Sequence, residues 1–250
     1  MKVISLVNQK GGVGKTTTTF NLGAGLAQQG FKILLIDLDS QANLTQSLDF
    51  KTTGGNVYNL LRKEKAINEC LNKVNDNLYI IPSLKELSYL QAELMQDIGG
   101  NLRLKTSLER LSDSFDYVLI DNSPTLGSFT YNSLTASQEA IICLQSDSIF
   151  SLTGLDLIIN TITETRNSLN PSLKGFKILL NYYDKRKIIT KNICDSLKEN
   201  FKDHIFKTTI RQCLALSESQ ASKEDIFTYA KNSNGAEDYL ELTKEIIKNG

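Results

Sequence analysis

Two short runs, Ile33-Leu34-Leu35-Ile36 and Tyr117-Val118-Leu119-Ile120, are apolar at every position rather than at every second one. A strand with one face in water alternates, whereas a strand covered by helices on both faces does not. Similar runs recur along the chain and predict strands at Lys2–Val7, Lys32–Ile36, Leu78–Ile81, Tyr117–Ile120, Glu139–Leu144 and Phe176–Asn181. Between them, helical patterns cover Thr17–Gln29, Leu102–Ser112, Phe129–Ser137, Gly154–Leu169, Thr190–Asn200 and Ala236–Lys248. This alternation predicts an α/β fold, a doubly wound and mostly parallel sheet with helices on both faces. The 250 residues, 40% of them hydrophobic, suffice for a single large domain spanning 1–250. Neither a linker rich in Pro, Gly or Ser nor an internal repeat divides it.

The first strand leads into Asn8-Gln9-Lys10-Gly11-Gly12-Val13-Gly14-Lys15-Thr16-Thr17, and a helix follows. Strand, glycine-rich loop and helix in this order form a phosphate-binding loop, in which successive backbone N–H groups and the helix N-terminus face phosphate oxygens. The ordinary pattern G-x-x-x-x-G-K-[ST] has glycine where this chain has Gln9; Gly14, Lys15 and Thr16 fit it. Gly11, Gly12, Val13, Gly14 and Thr17 supply the cradle, Lys15 reaches the β- and γ-phosphates, and the Thr16 hydroxyl ligates Mg²⁺. The chain is thus expected to bind a nucleoside triphosphate.

A metal in such a loop needs a carboxylate, and Asp121, at the end of an apolar strand, suits a contact to Mg²⁺ made through water. Asp37 and Asp39 stand at the end of another strand. Their i, i+2 spacing places both carboxylates on one side if the strand stays extended.

Lys+Arg and Asp+Glu balance at 28 each, which excludes a strong overall field toward nucleic acid or membrane. Lys174 to Lys223, however, holds eleven Lys/Arg against five Asp/Glu, a local net of +6. Such a bias marks either a polyanion-facing surface or a solvated helix face. The chain enters its first strand at once, so no signal peptide is expected, and no apolar run reaches the roughly 18 residues of a membrane span. Cys70, Cys143, Cys194 and Cys213 have no C-x-x-C spacing and fit reduced thiols in a cytosol. The lone His204 makes zinc or Ser-His-Asp chemistry improbable and is expected at the surface or a strand edge.

The second lysine narrows the family. Lys10-Gly11-Gly12-Val13-Gly14-Lys15-Thr16 resembles the deviant Walker A motif of the ParA/MinD superfamily of P-loop ATPases. Leu34-Leu35-Ile36-Asp37-Leu38-Asp39-Ser40-Gln41-Ala42-Asn43 is similar to its first switch segment, and Tyr117-Val118-Leu119-Ile120-Asp121-Asn122-Ser123-Pro124 to its Walker B strand and D-x-x-P switch. Gly235-Ala236-Glu237-Asp238-Tyr239-Leu240 resembles the closing helix of the short ParA/Soj branch.

The resemblance implies ATP and Mg²⁺ as cofactors and a homodimer that pairs face to face around two ATP molecules. Lys10 then reaches the partner's phosphates, a cation supplied in trans. Asp39 positions the attacking water, Asp37 supports the metal shell and the loop, Gln41 and Asn43 help hold that loop, and Asn181 contacts the base. Three functions compete: a ParA/Soj-like DNA-partition ATPase, a MinD-like membrane-cycling ATPase, and a metabolic enzyme such as an amidoligase or anion-pump subunit. The end from Tyr239 to Gly250 carries as many acids as lysines, unlike a basic membrane-surface helix, and no inserted substrate domain is evident. Partition is therefore expected, in the short class without an N-terminal helix-turn-helix. The protein would be cytoplasmic, nucleoid-associated with ATP, away from membranes, and stimulated by a ParB-like centromere-binding protein. DNA binding would be non-specific. Arg186, in Asp184-Lys185-Arg186-Lys187, matches a DNA-binding arginine of Soj-like proteins, with Lys185, Lys187 and Arg211 as companions. The family's Pro-Arg-Asn-x-Arg-Leu pattern is replaced by Arg211-Gln212-Cys213-Leu214-Ala215-Leu216, so both arginines expected there are lost.

Overall fold

The apolar runs become strands buried on both sides. A computed structural model describes residues 1–111, 114–148, 152 and 154–249. Among these, the strands are β1 (Lys2–Val7), β2 (Ile33–Leu38), β3 (Asn72–Lys73), β4 (Leu78–Ile81), β5 (Tyr117–Asn122), β6 (Glu139–Gln145), β7 (Phe176–Tyr183) and β8 (Ile205–Arg211). They form one sheet in the order β3-β4-β2-β5-β1-β6-β7-β8, parallel throughout except for the β3–β4 pair. The helices are α1 (Lys15–Gln28), α2 (Asn43–Gln46), α3 (Val57–Leu61), α4 (Ile67–Cys70), α5 (Leu87–Gln96), α6 (Arg103–Leu108), α7 (Ser128–Ala136), α8 (Leu155–Ser168), α9 (Ile188–Phe201), α10 (Leu214–Ala221), α11 (Ile226–Tyr229) and α12 (Asn234–Asn249).

Neighbouring residues of one strand serve different cores. Leu35 and Leu119 pack on one face of the sheet with Phe20, Leu22 and Leu26 of α1 and Tyr239, Leu242 and Ile246 of α12. Leu34, Ile36, Val118 and Ile120 join Leu87, Leu90 and Leu94 of α5 and Leu104 and Leu108 of α6 in a second cluster. Ile142, Leu144, Ile178 and Leu180 build a third with α8 and α9. Period-two side-chain direction acting on an uninterrupted apolar run therefore produces a layered fold with helices on both sheet faces.

The winding reverses about β1, which lies between β5 and β6. Open parallel sheets bind ligands beyond the carboxyl ends of their strands at such a switch point. The glycine loop leaves β1 at that place.

The predicted strands all occur, but β3 and β8 were not expected. In β8 only Phe206 and Ile210 are buried, and its pairing with β7 is irregular between Ile178, Leu180 and Tyr183. It is an edge strand whose apolar signal is thin. Helix α5 was also missed, although Leu87, Leu90 and Leu94 recur at helical spacing. The helix expected over Leu102–Ser112 is α6 followed by a 3₁₀ turn, Glu109–Leu111; Ser112 lies outside the described residues.

Candidate nucleotide site

The loop between β1 and α1 is tied to the sheet by Asn8, whose amide donates to the Cys143 carbonyl (2.6 Å) and whose Oδ1 accepts the Lys10 N–H (2.8 Å). Gly14 has φ +88°, and a Cβ there would lie 2.7 Å from Asn181 Nδ2. Glycine satisfies both the left-handed backbone and the close approach. Asn181 occupies that space to donate to the Val13 carbonyl (2.7 Å). Helix α1 has no side-chain cap, and Thr18 N–H is its first amide bonded within the helix, to Gly14. The preceding amides are the ordinary unpaired donors of a helix start, directed at an anion site.

Lys15 is buried, and its ammonium donates to the Lys10 carbonyl (3.2 Å). Desolvation lowers its pKa, while the charge of Asp121 opposes that shift. Asp121 accepts the Thr16 hydroxyl on Oδ2 at 2.6 Å; its other oxygen, Oδ1, is buried without a partner. Burial and the neighbouring Asp37 raise its pKa. Asp37 stands opposite Asp121 in the β2–β5 register, so two buried carboxylates lie side by side near Lys15. A hydroxyl, an unpartnered carboxylate oxygen and surplus negative charge make a donor set that fits a hard divalent cation such as Mg²⁺.

The condition for a shared side of Asp37 and Asp39, a strand extended through Asp39, is not met. β2 ends at Leu38, and the chain turns there because Asp37 Oδ1 accepts the Asp39 N–H (3.0 Å). Asp37 Oδ2 also accepts the Thr45 amide (2.9 Å) and hydroxyl (2.7 Å), so this carboxylate holds the loop from below. Burial outweighs those bonds and raises its pKa. Asp39 is only partly buried, accepts the Gln41 N–H (2.9 Å) and lines the cleft above the loop.

That cleft, about 630 Å³, is bounded by Gly11, Gly12, Gly14, Lys15, Thr16 and Asp39. The Lys10 ammonium instead reaches Gln145 Oε1 (3.3 Å) and Ser148 Oγ (3.4 Å) at the end of β6. A second cavity of about 300 Å³ shares Gly14, Thr17 and Tyr182 with the cleft and is walled by Asn181, Leu216 and Tyr239. Asn181 Oδ1 is buried there without a partner. Tyr182 has φ +56°, a left-handed backbone unusual for an aromatic residue, at the junction of the two spaces. Sequence reasoning missed Tyr182 and the α10 wall. The replaced motif at 211–216 was the available signal.

Of the basic residues, Lys185, Arg186 and Arg211 border one groove of about 570 Å³ with Gln212 and Asn234. Lys187 turns away to Asp147 (2.9 Å). Arg186, with 84% of its side chain exposed, forks onto Asp184 (2.8 and 2.9 Å). Arg211 holds Asp238 (2.6 Å) and Glu237, clamping β8 to α12. Lys185 has no ion pair among the described residues. His204 is exposed in the turn before β8, stacked on Phe176.

Residues 1–178 match the family model described as an AAA domain. The chain is 37% identical over 252 residues to the sporulation initiation inhibitor protein Soj of Bacillus subtilis, covering 100% of this chain and 99% of Soj. A plasmid partition protein from Borrelia burgdorferi bound to AMPPNP superposes with a TM-score of 0.85 at 26% identity, covering 100% of this chain and 99% of that one. Cobyrinic acid a,c-diamide synthase from Mycobacterium smegmatis, with ADP and magnesium, superposes with a TM-score of 0.84 at 28% identity, covering 100% and 95%. With 37% identity to Soj along the full length of both chains and a phosphate loop carrying both lysines, the chain belongs to the ParA/Soj-type partition ATPases of the ParA/MinD superfamily.

Proposed function

We propose that this chain is a Mg²⁺-dependent ATPase that switches between a monomer and an ATP-bound homodimer in DNA partition. The observation that carries the reading is the division of labour between the two lysines. Lys15 is buried within its own phosphate loop, whereas Lys10, in the same loop, directs its charge to the end of β6. A cation so placed serves a phosphate on a facing subunit better than one in its own cleft, and γ-phosphate occupancy would then favour dimerisation.

Thr16 and Asp121 would hold Mg²⁺, which when bound would supply positive charge against the phosphates; Asp39 would orient the attacking water, with Asp37 beneath it. Asn181 accepts from the base. Lys10→Ala is expected to bind ATP but to lose ATP-dependent dimerisation and hydrolysis together, as read by light scattering and phosphate release. Equal dimerisation by the variant and the wild type would refute the cross-subunit role.

The polyanion partner is non-specific DNA, engaged by Arg186 and Lys185. The acids beside Arg186 and Arg211 weaken each monomer's surface, so binding should require two paired surfaces and depend steeply on salt. Log affinity falls with log[salt] by about 0.9 per phosphate contact. Arg186→Ala should reduce binding to all sequences alike and flatten that slope, leaving dimerisation intact. An unchanged slope in fluorescence titrations across salt would place the DNA surface elsewhere. Arg211 and Lys187 are the less exposed companions. A ParB-like protein would accelerate hydrolysis and release the DNA. Among the described residues, no helix is long and apolar enough to cross a membrane.

A further inference from the structure

We propose that Gln220 is a nucleotide-binding residue whose carboxamide donates to the α-phosphate of a nucleoside 5′-phosphate; this rests on the ATP reading above. Helix α10 walls both parts of the site. Leu214, Leu216 and Ser217 line the smaller cavity, and Gln220, one turn further on, lines the phosphate cleft.

Thr17 borders both spaces and marks their junction. It is the third residue of α1, ahead of the first amide bonded within the helix, so its N–H belongs to the set that a phosphate loop presents to the α- and β-phosphates. The Thr17 hydroxyl donates to Gln220 Oε1 at 3.1 Å. The Gln220 amide nitrogen has no acceptor among the described residues, although the side chain is half-buried. If the amide is turned over, one N–H meets Thr17 and the other is still left over.

Three carbonyls near the end of α10 are already occupied. The Glu218, Ser219 and Gln220 carbonyls accept from Ser222, Glu224 and Lys223. The wall thus offers a neutral donor beside Thr17, at the junction of the cleft and the smaller cavity. A ligand held there links α1 to α10 and orders the segment that walls the base.

The test uses calorimetric titration of the full chain with Mg²⁺-ATP and Mg²⁺-ADP. Gln220→Glu retains the shape and the acceptor for Thr17 but replaces the donor with a negative charge. It is expected to weaken both nucleotides about 10-fold or more, with the ATP-to-ADP affinity ratio as in the wild type, because the contact is to a shared phosphate. Gln220→Ala removes only the amide. It is expected to weaken both about 5-fold, and it carries the test if the Glu variant fails to fold by circular dichroism. Wild-type affinity in a folded Gln220→Glu protein, or in Gln220→Ala where the Glu variant does not fold, would overturn the assignment and reduce Gln220 to a tether for Thr17. Loss of ATP with ADP unaffected would also overturn it, because the contact would then lie at the γ-phosphate. A wild-type chain that binds neither nucleotide would instead remove the ATP reading itself.

Discussion

Lys15→Ala is expected to weaken Mg²⁺-ATP binding about 100-fold or more while the far-UV circular dichroism stays that of the wild type. Lys15 is only 6% exposed, and its ammonium has three N–H donors to place. The protein supplies it with one hydrogen-bond acceptor among the described residues, the Lys10 carbonyl at 3.2 Å. It is therefore desolvated without being satisfied, and phosphate oxygens would complete its shell. Truncating one partner of a desolvated charge pair costs about 2–5 kcal/mol, and each 1.4 kcal/mol or so is tenfold in affinity. The fold should tolerate the change because the loop itself is held by Asn8, Asn181 and the left-handed Gly14, not by the lysine. Isothermal titration beside a melting curve checks both halves. Wild-type affinity in the folded variant would mean that the phosphates lie outside this loop.

What was legible in the sequence follows from which interactions are local. The both-parity apolar runs specify strands covered by helices, since no other environment accepts them. The glycine loop declares its backbone by residue type alone: Gly14 stands where side chain and φ both forbid anything larger. Asp121 was legible because it closes such a run. The turn after Asp37 was not, because the carboxylate that accepts the Asp39 N–H is itself held by Thr45 from eight residues away.

The basic segment illustrates a different loss. A net charge sums residues without saying which pair off. Arg211 meets Asp238 across 27 positions and Lys187 meets Asp147 across 40, so only the fold reveals that these cations are held by the chain's own acids. The Arg186–Asp184 pair was within reach of sequence reasoning at a separation of two residues. Strand β8 and helix α10 left weak apolar signals because only Phe206 and Ile210 of the one and Leu216 and Ser219 of the other are buried, yet α10 walls the site.

Asp39→Ala is expected to retain Mg²⁺-ATP, accumulate the ATP dimer and slow hydrolysis at least about 100-fold, the usual range for losing a positioned general base or water-orienting group being about 10²–10⁴. The retained binding follows from geometry: among the described residues the Asp39 carboxylate accepts only the Gln41 N–H, while Thr16 is engaged by Asp121 and Lys15 by the Lys10 carbonyl. Deleting it loosens one turn and leaves the phosphate cradle intact. Asp37 lies one alternation back and behaves differently. Its three accepted bonds fix the Asp39 and Thr45 segment, so Asp37→Ala should disorder the loop and weaken nucleotide binding along with turnover. Single-turnover hydrolysis together with light scattering separates the two variants: one traps a dimer, the other fails to form it. Turnover at the wild-type rate in Asp39→Ala would take the water-positioning role away from this carboxylate. Failure of that variant to bind ATP would make Asp39 part of the cradle instead.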